Sequence, residues 1–405
     1  ERFMEQKEYE PATGEEVTVK RKRNKRDGYF DYSLLFVWIF IMLLGYVLLY
    51  SASSYTALNK YNDSAYFLKK QIQATAFGVA VMIPVILLDY RLLKKYKTFI
   101  YCFSLFTVLL ILTPLGKEAN GAKRWINLKL VQFQPAEIVK IGVIIMTAAI
   151  LSKCGQQAIK KGKLCWQIYS ITLLGAGLVY VLTSNLSSAI IIAGIGAVMI
   201  IVAGAGKWFT GTISVGLVGG IIGLYILRNM PQLASLSFRF ERIAVWKNPE
   251  NFLQGRGKGF QPLQGLYAIG SGGIFGKGLG NSAQKLGFVP EANNDMIFSI
   301  ICEELGIFGA ICIILLFVFM IRRMRVIASN APDMFGSLLV SGVFVHIALQ
   351  VIMNVAVVLN IMPNTGVTLP FISYGGTSIL FLMAEMGLAL SVARQIKFQE
   401  PEFIL

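Results

Sequence analysis

DYSLLFVWIFIMLLGYVLLYSA, residues 31–52, carries one acid and no base. A run of this length is what a helix needs to cross a bilayer, about 20 apolar residues. It lacks the strict alternation of a barrel strand. Nine similar runs follow, near 67–89, 98–115, 135–152, 166–183, 186–203, 208–229, 296–321, 334–361 and 374–396. Only Ser184 and Asn185 divide the fifth run from the sixth. Because lipid offers no hydrogen bonds, helices are the natural way to satisfy the backbone of such segments. The expected fold is an all-α integral membrane protein, a polytopic bundle of ten transmembrane helices. Composition agrees. Of 405 residues, 55% are hydrophobic and 15% charged, against about 45–50% and about 25% in soluble domains. A soluble enzyme, a disordered chain and a disulfide scaffold are all excluded, the last because there are only five Cys.

The net charge of +16 reads first as a topology signal and not as a nucleic-acid footprint. Residues 1–19 hold six Glu and little apolar pattern, and KRKRNKR follows at 20–26. Residues 1–30 are therefore expected to be a disordered tail beside anionic lipid. With the N-terminus inside, the inner segments from residue 20 onward carry 20 Lys and Arg, and the short outer loops carry 7. That asymmetry predicts cytoplasmic termini around a membrane domain of residues 31–396, with 397–405 as a second cytoplasmic tail. Cys154 and Cys165 then fall in an inner loop, and no CxxC or Cys/His cluster suggests a metal site.

Residues 231–295, between the seventh and eighth runs, form an outer loop too long to be a connector. It holds Phe238, Phe240, Trp246, Phe252, Phe260, Tyr267, Phe275 and Phe288, and ten Gly between Gly255 and Gly280. Patches such as LQGLYAIG, 263–270, predict short helices at the interface, so the loop is expected to be structured. Its seven Lys and Arg against four acids read either as the weak charge bias of long loops or as a surface for an anionic ligand.

Charged groups inside membrane runs are functional candidates by default. Glu137 and Lys140, in FQPAEIVK at 133–140, share a helix face at i,i+3. A structural salt bridge and a functional pair are equal readings. Arg124 suits a phosphate and Trp125 a sugar face, while an aromatic-belt anchor is the plain reading of Trp125. Asp295 begins the eighth run, as a helix N-cap or as a carboxylate facing an outer pocket. Eight residues on, helical geometry places Glu303 about 80° around the axis from it, with Glu304 on the opposite side. At least one of these acids should face a polar cavity. His346 reads as a core histidine, and Glu385 has no local partner. The absence of Walker A, GxSxG and HExxH patterns leaves nucleotide hydrolysis and common hydrolase chemistry unsupported.

The chain resembles the SEDS family (shape, elongation, division and sporulation), the FtsW/RodA/SpoVE group. GAKRWINL at 121–128, FQPAEIVK, AIGSGGIFGKGLGNSAQKLGFVPEANNDMIFSIICEELG at 268–306 and PNTGVTLPFISYGGTS at 363–378 carry the likeness. ISYGG and GNSAQKLGF lean toward the FtsW/SpoVE branch. The resemblance implies a ten-helix peptidoglycan glycosyltransferase at the outer face of the bacterial cytoplasmic membrane. It polymerises lipid II, the undecaprenyl-diphosphate-linked disaccharide peptide, and works with a class B penicillin-binding protein among other divisome or elongation proteins. Asp295 takes the place of the family's essential acid. Glu291, Glu137, Lys140, Arg124 and Trp125 match further site positions. Two departures stand out. SNLSSA at 184–189 has Asn185 where the family often has an acid, and Asn293-Asn294 precedes Asp295 where His-Thr or Gln-Thr is common.

The implied reaction inverts the donor. A GlcNAc 4-hydroxyl attacks the anomeric carbon and undecaprenyl diphosphate leaves. One carboxylate suffices as general base. The diphosphate needs charge neutralisation, from Arg124, Lys140, Arg256, Lys277 and Lys285 or from a divalent cation such as Mg or Mn. No nucleotide, redox cofactor or nucleic acid is called for. The alternative is a lipid II flippase, which the intramembrane Glu137, Lys140 and Glu304 would also suit. A third reading, a scaffold for the penicillin-binding protein, leaves the Gly-rich loop unexplained.

Overall fold

The computed structural model describes residues 8–9, 16–17, 31–119, 122–128, 132–230, 238–253, 257 and 259–396. Its helices are α1 (Tyr32–Tyr61), α2 (Tyr66–Leu87), α3 (Arg91–Leu109), α4 (Pro135–Leu151), the short α5 (Gln156–Lys160), α6 (Gly162–Thr183), α7 (Leu186–Val202), α8 (Lys207–Arg228), α9 (Phe238–Lys247), α10 (Phe260–Gly272), α11 (Ile297–Ser329), α12 (Met334–Val358) and α13 (Ser378–Arg394). Ten of these overlie the ten apolar runs. Seven are long and apolar enough to cross a membrane. The other three, α4, α7 and α13, have 17 residues each. Helix starts follow local chemistry. Asp31 accepts from the Leu34 amide at 2.9 Å, Asn185 from Ser188 at 3.1 Å and Asp333 from Gly336 at 2.7 Å. Pro135 opens α4, where its missing N–H costs nothing.

The centre of the bundle is α4 and α12, most of whose residues are buried, among them Val139, Ile144, Leu339 and Val343. The periphery is apolar as well: Phe36, Phe99 and Val215 are 66%, 71% and 73% exposed. An apolar exterior around an apolar centre suits hydrocarbon surroundings and not water. Two polar layers fix the depth scale. Asp31 pairs with Arg323 at 2.8 Å, and Ser51 donates to Glu304 at 2.7 Å. Along α1 the two layers are some 20 residues apart, and along α11 nearly the same. At 1.5 Å per residue each helix gives about 30 Å, the thickness of a bilayer core.

The elements depart from the sequence expectation in three places. Residues 116–133 hold a three-stranded antiparallel sheet, Gly116–Ala119, Ala122–Asn127 and Gln132–Phe133, where a plain loop was expected. Helices overrun their hydropathy windows: α1 extends to Tyr61 and α11 to Ser329. Hydropathy marks the lipid-crossing part, whereas hydrogen bonding continues into water. Asp295 also lies outside α11, whose N-cap is Met296, so the helical-wheel angle between Asp295 and Glu303 does not apply. In the N-terminal segment Glu8–Tyr9 pairs with Glu16–Val17. The rest of 1–30, and 397–405, lie outside the described residues.

Candidate functional site

Asp295 sits on the face remote from the Asp31–Arg323 layer, just before α11. Its backbone is held by the 363–378 segment and the helix before it. Tyr374 N–H donates to the Asn293 carbonyl at 2.8 Å, Ser373 Oγ to Asn294 O at 2.7 Å, and Asn354 Nδ2 to Asp295 O at 2.8 Å. Three consecutive carbonyls are thereby pinned. The carboxylate does not cap α11. It accepts from Gln261 Nε2 of α10 at 3.3 Å. Only 8% of Asp295 is exposed. Burial first, and the nearby Glu291 carboxylate second, push its pKa up to about 7, against smaller lowering effects from Gln261 and Arg242.

Two arginines complete this neighbourhood, and the segment 364–366 organises them. Arg242 of α9 donates to the Asn364 carbonyl at 3.4 Å. Ser187, in the first turn of α7, donates to Thr365 O at 2.8 Å. A Cβ on Gly366 would stand 3.8 Å from Asp295 Oδ2. Arg124 reaches Ser184 O at 3.5 Å, one turn from Ser187, and its Nε has no acceptor among the described residues. Asn185 caps α7 and brings no charge. Burial lowers the pKa of both guanidiniums. For Arg242 the neighbouring Arg124 lowers it further, and Asp295 works the other way. A half-buried cation beside a carboxylate poised near neutrality, with a second cation next to the first, suits an anionic ligand with a reacting proton nearby.

Lys277 and Lys285 are engaged elsewhere. Gly306 breaks α11 at φ 70°. The glycine-rich strand of chain from 273 to 278 fills the break: the amides of Lys277 and Gly278 cap the Glu303 and Glu304 carbonyls at 2.9 Å, and the amides of Ile307 and Phe308 donate to Gly273 and Ile274 at 3.0 Å. Backbone contact is so close that a Cβ on Gly276 would lie 2.2 Å from Glu304 O. Side chains lock the same joint. Lys277 pairs with Glu303 at 2.6 Å, and Glu303 also accepts from Ser282 and from the amides of Ala283 and Gln284. Lys285 donates to Glu304 at 2.8 Å, Ser51 at 3.0 Å and Gly280 O at 2.6 Å, which uses all three of its protons. Both acids therefore face polar partners, and the two lysines hold the loop. Neither is seen at Asp295.

Glu137 and Lys140 form a buried pair at 2.8 Å. Trp125 is half-buried in the strand beside Arg124, and Glu291 is exposed, in left-handed backbone at φ 54°. Arg256 lies outside the described residues. His346 Nδ1 and Glu385 Oε2 meet at 2.7 Å deep in the bundle, so each supplies the partner the other lacked locally. Among the described residues no three of His, Cys, Asp and Glu converge. No step is assigned to a divalent cation. Arg242, Gln261 and Asn354 were not picked out from the sequence. Arg242 had one available signal, as a cation in the amphipathic FRFERIAVWK of the long loop.

The chain matches the cell cycle protein family FtsW/RodA/SpoVE over residues 31–398. It is 35% identical to the stage V sporulation protein E of Bacillus subtilis across 91% of this chain and 98% of that one. It is likewise 35% identical to the probable peptidoglycan glycosyltransferase FtsW of the same organism, across 92% of each. Its fold matches the solved structure of Thermus thermophilus rod shape determining protein RodA with a TM-score of 0.65 at 26% identity, covering 92% of this chain and 98% of that one. A chain from a study of the structural coordination of polymerization and crosslinking by a peptidoglycan synthase complex gives 0.71 at 25% identity, covering 92% and 99%. With the motifs, the helical membrane fold and these likenesses in agreement, the chain belongs to the FtsW/RodA/SpoVE (SEDS) family.

Proposed function

We propose that the protein is a peptidoglycan glycosyltransferase that polymerises lipid II into β-1,4 glycan strands at the outer face of the bacterial cytoplasmic membrane. The reading takes ten crossings with both termini cytoplasmic, which puts Asp295 at the outer face. The observation that carries the reading is the Asp295 carboxylate, buried, raised to about 7 and within electrostatic reach of Arg242, which has Arg124 as its own neighbour. The acceptor's 4-hydroxyl loses its proton to Asp295 as its oxygen bonds to the donor's anomeric carbon. The bond to undecaprenyl diphosphate breaks on the opposite side of the sugar. Arg124 and Arg242 neutralise the departing diphosphate, which needs no proton. Trp125, next to Arg124, and Glu291, beside Asp295, complete the substrate contacts. Glu137 and Lys140 act as a charge-neutral pair below them. Lys277 and Lys285 are assigned to holding the loop that carries Gln261 and Asp295.

A class B penicillin-binding protein is the proposed partner. Support comes from the likeness to a chain of a peptidoglycan synthase complex. The test is purified protein in lipid vesicles with lipid II. Glycan polymer is the expected product. Lipid II crossing the vesicle membrane with no polymer formed would instead favour the flippase reading.

A further inference from the structure

The end of the bundle opposite Asp295 carries a second concentration of functional chemistry. There the turn between α7 and α8 meets the segment around α5 and the start of α6. An open cavity of about 630 Å³ is lined by Gly162, Lys163, Trp166, Gln167, Ser170 and Trp208, a size suited to a small ligand or headgroup.

The walls are built and not incidental. Trp166 packs edge-on against Trp208 and Phe209, with centroids 6.4 and 5.3 Å away, and Phe209 is fully buried. A Cβ on Gly162 would meet the Trp208 ring at 2.8 Å, so only glycine lets that ring close over the chain. A Cβ on Gly206 would meet Lys160 O at 2.3 Å, so the two turns are in backbone contact. The Trp166 indole N–H is buried and finds no acceptor among the described residues. An unsatisfied buried donor costs free energy unless something supplies an acceptor.

The surroundings are cationic without compensation. Residues 152–167 and 203–208 contain Lys153, Lys160, Lys161, Lys163 and Lys207, all exposed, and no acid. Lys97 of α3 lies within electrostatic reach of Lys153 and extends the patch. Trp208, 65% exposed, stands at the level where α8 enters the hydrocarbon. Basic pockets between transmembrane helices at the interface match acidic lipid headgroups. Interfacial Trp prefers the same level.

We propose that this cavity binds the phosphate headgroup of an anionic phospholipid from the adjoining leaflet. Lys163 and Lys207 provide the charge, Trp166 and Trp208 border the glycerol, and the acyl chains run along the exposed face of α8. The site is independent of the glycosyltransfer reaction.

Native mass spectrometry of the full-length protein, released from mixed phosphatidylglycerol and phosphatidylcholine nanodiscs, tests the site. The parent should retain phosphatidylglycerol in preference. Lys163→Gln with Lys207→Gln should lower that retention by about 25-fold, at about fivefold per lysine. Trp166→Phe, which keeps an aromatic ring of smaller size and removes the N–H, should weaken it less. Equal retention of the two lipids by the parent would overturn the proposal, as would unchanged retention by the double variant. Displacement of the lipid by millimolar inorganic phosphate would show a free-anion site and overturn the lipid assignment.

Discussion

A carboxylate held near neutrality by burial has two measurable signatures at Asp295. The first is kinetic. The base works only when ionised, so polymerisation should rise with pH through an apparent pKa of about 7. A flat profile from pH 5 to 9 would dissociate Asp295 from proton transfer. The second is thermodynamic. The folded state holds this proton up to about pH 7, whereas the unfolded chain releases it near 3.8. The carboxyl therefore makes stability fall as pH rises from about 4 to about 7. Asp295→Asn should melt like the parent near pH 4 and above it at pH 8. The sequence pointed to Asp295 and Glu291 through the family motif, but not to the neighbours that come from other helices. Arg242 and Gln261 approach from α9 and α10, and the 364–366 segment that gathers the cluster is remote in the chain. His346 and Glu385 each looked solitary because their pairing is tertiary.

Helices were legible element by element, because lipid imposes one requirement, a continuous apolar run, that a sequence displays directly. The sheet at 116–133 was not, although Asn120-Gly121, between the paired Ala119 and Ala122, is a hairpin signal. The break in α11 was also hidden, since Gly306 in an apolar run reads as ordinary helix. Two sets of variants test the joint it makes. Gly306→Ala forces a side chain into left-handed backbone with its Cβ 2.3 Å from Ile274 O. It should cost at least about 1–3 kcal/mol and lower the melting temperature. Gly223→Ala, in α8 with nothing within 4 Å, should be neutral or slightly stabilising. Lys285→Met leaves Glu304 buried without its cation and should cost about 3–5 kcal/mol. Adding Glu304→Leu should recover much of that loss. Parent-like melting of the single Lys285 variant would show that the pair does not hold the loop.

At the scale of the whole molecule, the bundle sets two faces about 30 Å apart and gives them different work. The Asp295 face gathers the long loop, the sheet and the 363–378 segment, and the opposite face carries the lysine-rich turns. Orientation can be read in intact cells from single cysteines in a Cys-free chain. Glu250→Cys should react with a membrane-impermeant thiol reagent and Gly155→Cys should not. The reverse pattern would turn the molecule over and put the site on the wrong side for glycan assembly. The most direct test of the account is polymerisation of lipid II by purified Asp295→Asn. Asn keeps the size and a hydrogen-bond acceptor for Gln261 but cannot take the proton. The account predicts a rate reduced by about 10²–10⁴-fold in a protein that folds like the parent. Near-parental polymerisation by that folded variant would contradict it.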